Sequence, residues 1–497
     1  MTALAAAVYG AFSLTLDYTY RVRVYDLSIF DQAIRSYAHF QPGISIVKGM
    51  HDFGTPHFSV LGDHFSPIDA VLAPLYWVYN SPADLLAAQA VLFALAIPPI
   101  WVFAHRAFGG GRKGAVAGYC AAIAYALSWT VAAAVGSDFH EVAFAPVLTA
   151  VALERLQAGR LRTALLALFG LLLVKEDMGL LVAGIGLGLV VTRPLGIGRQ
   201  RLTGLLIAAF GLTGMALALY VVIPHMGGRP NYYWGYDELG RNVPQVAAHI
   251  LAHPLSSARF LFTPSVKWHT ELELFAPFLF LSLLSPVTLC VLPLLLERML
   301  SMRSRGWWED IYHYNAYLAV PLVLGAVDGA LRLDRWAGWL LRRRWLPGGA
   351  RLGTLADAAQ GKVALGAVTV FAVVAVALIP RYQLGQMLHA KFYQRTATAK
   401  AAAAAAAHVP RGVVVETAGY YIGPHLDSRD TVEVWDGDGG SPVFPPWVIV
   451  YDKKVAYTWP SLSAQRRRIA LLKARGYVTV FSDGGFAVMH APGASHG

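Results

Sequence analysis

Charge is what this chain has least of. Only 14% of its 497 residues are Asp, Glu, Lys or Arg, against about 25% in a typical soluble domain. The shortage excludes an ordinary water-soluble enzyme. Cysteine is nearly absent as well: Cys120 and Cys290 both fall inside apolar runs, which excludes a disulfide framework and a metal–thiolate site. No Gly-rich phosphate fingerprint, internal repeat or cleavable signal peptide is evident. What is present is apolar sequence, 56% of the chain, with a mean hydropathy of +0.47. Several apolar runs approach or exceed the roughly 18–20 residues that cross a bilayer as helix. The fold class is therefore a polytopic α-helical membrane protein. The net charge of +11 does not point to nucleic acid, because the basic residues sit in short loops between apolar runs, the footprint of topology.

Those loops alternate. A first helix over residues 2–17, short for a full span, leads to a long polar segment, 18–82. Helices follow over 83–105, 114–136, 142–154, 163–174, 179–192 and 202–224. "HRAFGGGRK", "ERLQAGRLR" and "RPLGIGRQR" are basic and belong to the cytoplasm. The 18–82 segment, "SDFHE" and "KEDM" are rich in acids and histidines and belong outside. A further outer loop spans 226–268. Two segments over 270–284 and 286–299, a helix over 314–331, the basic "RLDRWAGWLLRRRW" and a last helix over 362–380 complete about eleven transmembrane helices. Residues 1–380 thus form a transmembrane domain with a long first outer loop. Residues 381–497 change character. "TATAKAAAAAAAH" predicts a helix. "RGVVVET" and "PPWVIVYD" predict buried strands, "AQRRRIALLKARG" an amphipathic helix stopped by Gly476, and "YVTVFSDGGFAVMH" a hairpin. Together they make a small extracytoplasmic α/β domain.

By this topology the unusual ionisable residues gather on one side. They are Asp26 and Asp31 in "VYDLSIFDQAIR", Asp63 and His64 in "GDHFSP", Asp138, His140 and Glu141 in "SDFHE", and Lys175, Glu176 and Asp177 in "KEDM". Charge near bilayer depth costs several kcal/mol and marks a functional candidate. Solvated loop residues are the plain alternative for any one of them. Three acid or acid/His clusters against helix ends, all facing the same way, favour a site. "KEDM" interrupts apolar sequence without a single turn former, so its helices are barely separated. A capping box would account for Asp138 and Glu141 but leaves His140 unexplained. Asp63, His64 and His140 are the residues for a divalent metal if one binds, although no tight ligand spacing is present.

The ordered motifs "YDLSIFDQAIRSYAHF", "DHFSPIDAVLAPLYWVYNSPADLLAAQAV", "SDFHEVAFAP", "LLLVKEDMGLL", "HYNAYLAVPLVLGA" and "GPHLDSRDTVEVW" resemble the bacterial predicted-membrane-protein family classed as domain of unknown function 2079, over nearly the whole chain. The sequence departs from that pattern at Ser28, usually Gly, and at Arg35, often aromatic. More distantly the layout resembles the C-type integral-membrane glycosyltransferases, with a carboxylate after the first helix, a long first outer loop and a C-terminal outer domain. That resemblance implies a catalytic role for Asp26, with Asp31 as second choice. It implies a phosphate-binding role for Lys175, although Glu176 stands where a Gly is usual.

The chemistry is coherent on its own terms. A polyprenyl-phosphate sugar keeps its lipid in the bilayer and its sugar at the outer surface. The acceptor hydroxyl needs a general base. Inverting displacement passes through an oxocarbenium-like state, and cations such as Lys175 or Arg229 stabilise the departing phosphate. The expected function is a membrane glycosyltransferase acting on an envelope glycan, lipid or protein at the outer face of the bacterial cytoplasmic membrane. His64, Asp138, His140, Glu141, Lys175, Glu176 and Arg229 would bind substrate. Two other classes compete. A transporter or lipid flippase favours charges near the bilayer midplane. A non-enzymatic glycan-binding protein would use the aromatic stretches "NYYWGYDELG" and "RGWWEDIYHY".

Overall fold

The computed structural model describes residues 1–22, 25–192, 195–303, 305–341, 361–418, 421–435, 444–456 and 459–494. Part of the basic "RLDRWAGWLLRRRW" segment and the start of "RPLGIGRQR" lie outside the described residues. Helix α1 (Thr2–Tyr18) leads into the polar segment, which contains helix α2 (Asp26–Ala38) and a chain of short turns. Ser81 then caps α3 (Pro82–Leu95) with its hydroxyl, as a helix start with Pro at its first position requires. Pro98 and Pro99 stand in the first turn of α4 (Ile97–Ala107), so the span Pro82–Ala107 is made of two helical pieces rather than one.

Helices α5 (Gly111–Ala126) and α6 (Trp129–Val135) meet at a 44° bend, where Ser128 caps the second piece. There follow α7 (Phe144–Gln157), α8 (Leu161–Leu172), α9 (Met178–Val191) and α10 (Gln200–Leu217). Helices α9 and α10 pack along a glycine seam. A Cβ at Gly179 or Gly186 would run into the carbonyls of Gly211 and Gly204, the close backbone approach that small residues permit between membrane helices.

Among the described residues, four helices are long and apolar enough to span: Pro82–Ala107, Gln200–His225, Arg305–Leu340 and Lys362–Arg381, or five with the bent pair. Other expected spans are shorter. Thr2–Tyr18 has 17 residues, Phe144–Gln157 14, Leu161–Leu172 12 and Met178–Val191 14.

The two segments expected over 270–284 and 286–299 are not continuous helices. A helix over Ser265–Phe275 gives way to successive 3-10 turns through Cys290, and only Leu292–Leu300 is helical again. Pro277, Pro286 and Pro293 interrupt this stretch, and Leu279 and Phe280 adopt positive φ. The loop 226–268 holds two short helices, Val243–Ala252 and Pro254–Phe262.

The C-terminal unit is a five-stranded sheet of order β2-β1-β3-β5-β4, with β1 Val414–Thr417, β2 Thr431–Val434, β3 Trp447–Tyr451, β4 Val478–Asp483 and β5 Phe486–His490. The first three strands are parallel and the last two add antiparallel. All five residues of β3 are buried, as a central strand covered on both faces demands. The helices Ala397–Ala407 and Leu462–Ala474 complete the unit. It sits against the polar segment after α1. Gln32 on α2 donates to Asp427 Oδ1 at 2.9 Å and to the Val432 carbonyl at 3.1 Å.

Candidate active site

The site is built at one end of the bundle, where α2 begins. Asp26 is the first residue of α2, a position where a carboxylate is favoured by the helix dipole. The segment joining α6 to α7 runs beside it and is wholly buried. Asp138 Oδ2 accepts from the Leu27 amide at 3.3 Å and so fixes the start of α2 from a distant stretch of chain. The capping-box account of Asp138 and Glu141 therefore does not hold. The short turn at Glu141–Ala143 has no side-chain cap, and the Asp138 carboxylate serves another helix.

His140 lies between two carboxylates. Its Nε2 is 3.2 Å from Asp26 Oδ2 and its Nδ1 is 3.1 Å from Asp138 Oδ1. The imidazole stacks on His313 at 3.5 Å between ring centroids and meets Phe30 edge-on. Burial lowers the His140 pKa, but Asp138 and Asp26 outweigh it and push it up to about 10. Burial raises Asp138 to about 7 against the pull of His140. For Asp26, burial raises the pKa, while the hydrogen bond and charge of His140, then Lys48 and Lys175, win and hold the carboxyl below its ordinary value. Asp26 is the open member of the three: its side chain is 33% exposed, against 6% for His140 and 0% for Asp138.

The "KEDM" junction ties in two more loops. Lys175 Nζ lies 3.1 Å from Glu141 Oε1. Glu176 bonds His64 Nδ1 at 2.7 Å and accepts from the Phe65 amide at 2.9 Å. Burial acts to raise Glu176, but His64 and Lys175 bring it down to about 2. His64 is raised because its carboxylate neighbours outweigh burial and Lys175. The structure thus brings Asp26, Asp138 and His140 into contact, ties Lys175 to Glu141 in the same segment, and sets Glu176 and His64 alongside.

Two expected residues fall elsewhere. Asp31 lies apart from the Asp26 cluster. It is fully buried, 2.5 Å from Arg35 and 2.5 Å from the Tyr76 hydroxyl, so its carboxylate is enclosed by structural partners. Arg229 is exposed and lies over the Phe53 ring at 5.1 Å rather than among the acids.

The metal set is also different from the one expected. Asp63 pairs with Lys48 at 3.1 Å and accepts from Tyr233 at 2.6 Å, and His64 pairs with Glu176. Neither joins His140. Among the described residues, the group with donor atoms close enough for an ion, all within 4.8 Å of one another, is Asp26, Asp138 and His140. Asp138 Oδ1 and His140 Nδ1 are buried and lack a partner in hydrogen-bond geometry. These two atoms face each other at 3.1 Å, and the N/O donor types suit a divalent cation, which would have to displace the proton that the two carboxylates hold on His140.

Sequence reasoning missed Lys48, buried and paired with Asp52 at 2.7 Å as well as with Asp63. Tyr233, within the aromatic stretch "NYYWGYDELG", stacks on His64 at 4.7 Å, a partner the sequence did not indicate. His313 carried a signal, a histidine opening the apolar run "HYNAYLAVPLVLGA". Lys48 carried only the four-residue spacing to Asp52, and its contact with Asp63 is not local.

Fold and site together describe a mostly helical, multi-pass membrane protein with a small C-terminal sheet. Residues 20–486 match the family "Predicted membrane protein (DUF2079)", and the chain belongs to that family. Among solved structures it is similar to ArnT from Cupriavidus metallidurans bound to undecaprenyl phosphate, with a TM-score of 0.51 at 13% identity, over 99% of this chain and 98% of that one. The apo state of the same protein gives a TM-score of 0.49 at 13% identity, over 97% of each chain. No curated protein matches the chain.

Proposed function

We propose that this protein is a glycosyltransferase that moves a sugar from a polyprenyl-phosphate donor to an envelope acceptor at the outer face of the bacterial cytoplasmic membrane. The observation that carries the reading is the partly open Asp26 carboxylate held by His140 and Asp138 at the start of α2, on a fold similar to a protein solved with undecaprenyl phosphate. The acceptor hydroxyl attacks the anomeric carbon and gives its proton to Asp26. The bond from that carbon to the phosphate oxygen breaks, and polyprenyl phosphate leaves. A base must be ionised, and a carboxyl held below its ordinary value is ionised at neutral pH.

His140 orients Asp26, and Asp138 orients both His140 and the first turn of α2. Lys175 directs positive charge toward the phosphate. It is itself matched by Glu141, so the cluster holds little surplus positive charge. A divalent ion held by Asp138, His140 and Asp26 would supply the missing charge against the departing phosphate.

The first loop, residues 18–82, and the C-terminal unit, 381–497, lie outside the cytoplasm in this reading. Reporter fusions at residues 345 and 400 should then report opposite sides, and a shared side would remove the site from the outer face. The decisive experiment is transfer from radiolabelled polyprenyl-phosphate sugars by purified protein in lipid, with metal content measured on the same preparation. Lys175→Ala should weaken donor binding. Movement of a solute or lipid across proteoliposomes with no sugar transfer would replace this reading with a transporter.

A further inference from the structure

A cavity lies away from the Asp26 cluster. It is a cleft of about 500 Å³ between the far end of α2 with the turn after it, residues 32–46, and residues 412–431 of the C-terminal unit. That size is within the range of small-ligand sites. Its charges are matched within the protein: Arg35 pairs with Asp31 behind the lining, Arg429 with Asp430, and Asp427 is held protonated by its burial. Two isoleucines, Ile44 and Ile46, are its apolar contribution. A phosphate would find both guanidinium groups already matched by carboxylates.

The lining is held in place before any ligand arrives. Gln32 Nε2 donates to Asp427 and Val432, and its Oε1 accepts from the Val47 amide at 2.9 Å and the Ser45 hydroxyl at 3.2 Å. Arg429 donates to the carbonyls of Ala406 and Val409 and pairs with Asp430 at 2.9 Å. Asp430 in turn accepts from the Gly412 and Val413 amides. Arg35 is fixed by Asn80 and Asp31. Asp427, only 3% exposed, keeps its Oδ2 without a partner of hydrogen-bonding geometry, although the Ser28 hydroxyl lies beside it.

A rigid set of donors and acceptors with no net charge suits hydroxyls, which donate and accept at once, and rigidity lowers the ordering cost of binding. We infer that this cleft is a subsite for a neutral oligosaccharide, the non-reacting part of a glycan acceptor. The inference rests on the transferase reading and adds the acceptor class to it. Arg35 follows Asp26 by nine residues on α2, about 14 Å at the helical rise of 1.5 Å per residue. A chain seated in the cleft must therefore be several sugars long to reach the base.

The test uses the full chain in lipid nanodiscs. The probes are fluorescently labelled oligosaccharides from the envelope of the producing cell, separated on an anion exchanger into neutral and acidic fractions. Gln41 and Ser428 line the cleft and are exposed, so Gln41→Trp and Ser428→Trp fill it without touching the Gln32 bonds. The neutral fraction should bind, each Trp variant should weaken that binding at least tenfold, and Asp26→Asn should leave it unchanged. No binding of the neutral fraction, binding of the acidic fraction alone, or binding indifferent to both Trp variants overturns the subsite. Neutral-glycan binding without transfer from any polyprenyl-phosphate donor defeats the transferase reading and leaves the subsite standing. Transfer that both Trp variants leave unaltered defeats the subsite alone.

Discussion

Replacing Asp26 by Asn separates catalysis from folding at one atom. Asn keeps the shape of the side chain and can still accept from His140, but it cannot take a proton. General-base catalysis is worth 10²–10⁴ in rate, or about 3–5 kcal/mol of barrier at 1.36 kcal/mol per factor of ten. The cost to stability is smaller. At 3.2 Å from His140 the gross attraction is about 5 kcal/mol at an effective dielectric constant near 20. His140 keeps Asp138 on its other ring nitrogen at 3.1 Å, and a side chain 33% exposed is screened by water. The net loss should be about 1 kcal/mol, in the range of exposed pairs. Helix α2 is also held elsewhere, by Asp31 with Arg35 and Tyr76 and by the bonds of Gln32. Turnover measured with a radiolabelled polyprenyl-phosphate sugar should fall at least a hundredfold. Donor affinity and the melting point in detergent, followed by tryptophan fluorescence, should stay near those of the unaltered protein. A variant that keeps half its turnover refutes Asp26 as the base, and one that unfolds refutes the separation of roles.

Other substitutions should divide cleanly between activity and stability. Asp31→Asn removes a buried carboxylate that accepts from the half-buried Arg35 and from Tyr76 and should cost about 1–3 kcal/mol of stability, seen as a lower melting point with turnover per folded molecule preserved. Lys267 is fully buried and donates to the carbonyls of Phe260, Met299 and Ser301 at 2.8, 2.7 and 3.0 Å. Lys267→Met leaves those acceptors unpaired and should lose at least about 3 kcal/mol at roughly 1–3 kcal/mol for each, read as a collapse in folded yield. Asp427 is pushed up to about 8, mainly by burial and also by Asp31. Between pH 4 and 8 the native state then holds a proton that the unfolded chain has lost. Stability should fall as pH rises through that window, by at most about 1.4 kcal/mol per pH unit. Asp427→Asn, which still accepts from Gln32, should flatten that slope and raise the melting point at pH 8.

How much of this was legible in the sequence follows the range of the interactions involved. Helices with a long apolar run, such as Lys362–Leu378 or the span Gln200–His225, were placed to within a few residues, because hydropathy is a local property. The hairpin Val478–His490 was legible from its Asp483-Gly484-Gly485 turn. The residues around 270–300 were as apolar as a span, but three prolines outweighed the hydropathy average. Strand β2 is four residues long with a polar residue at every second position, too short to stand out. The grouping of "SDFHE" with "KEDM" could be anticipated from helix ends alone, whereas the partners within it could not. The His140 contact to Asp26 spans 114 residues, and no periodicity records it. The three-residue spacing of Asp138 and Glu141 matched a capping box, yet tertiary contacts claimed both side chains. Asp31 looked like Asp26 in sequence. What distinguishes it is Tyr76, 45 residues on.

The bonds from Gln32 to Asp427 and Val432 join residues 395 and 400 positions apart, which sets an order of events during biosynthesis. Chains elongate at about 5–20 residues per second, so α2 is made roughly 20–80 s before its partners leave the ribosome. In that interval the flanking apolar helices can enter the membrane, but the helix that bears Asp26 lacks two of its anchors. A chain that stops short of residue 432 would insert and still leave α2 without its C-terminal partners. Completion of the last domain therefore adds the final two anchors to a helix already held at its start by Asp138 and along its length by Arg35 and Tyr76.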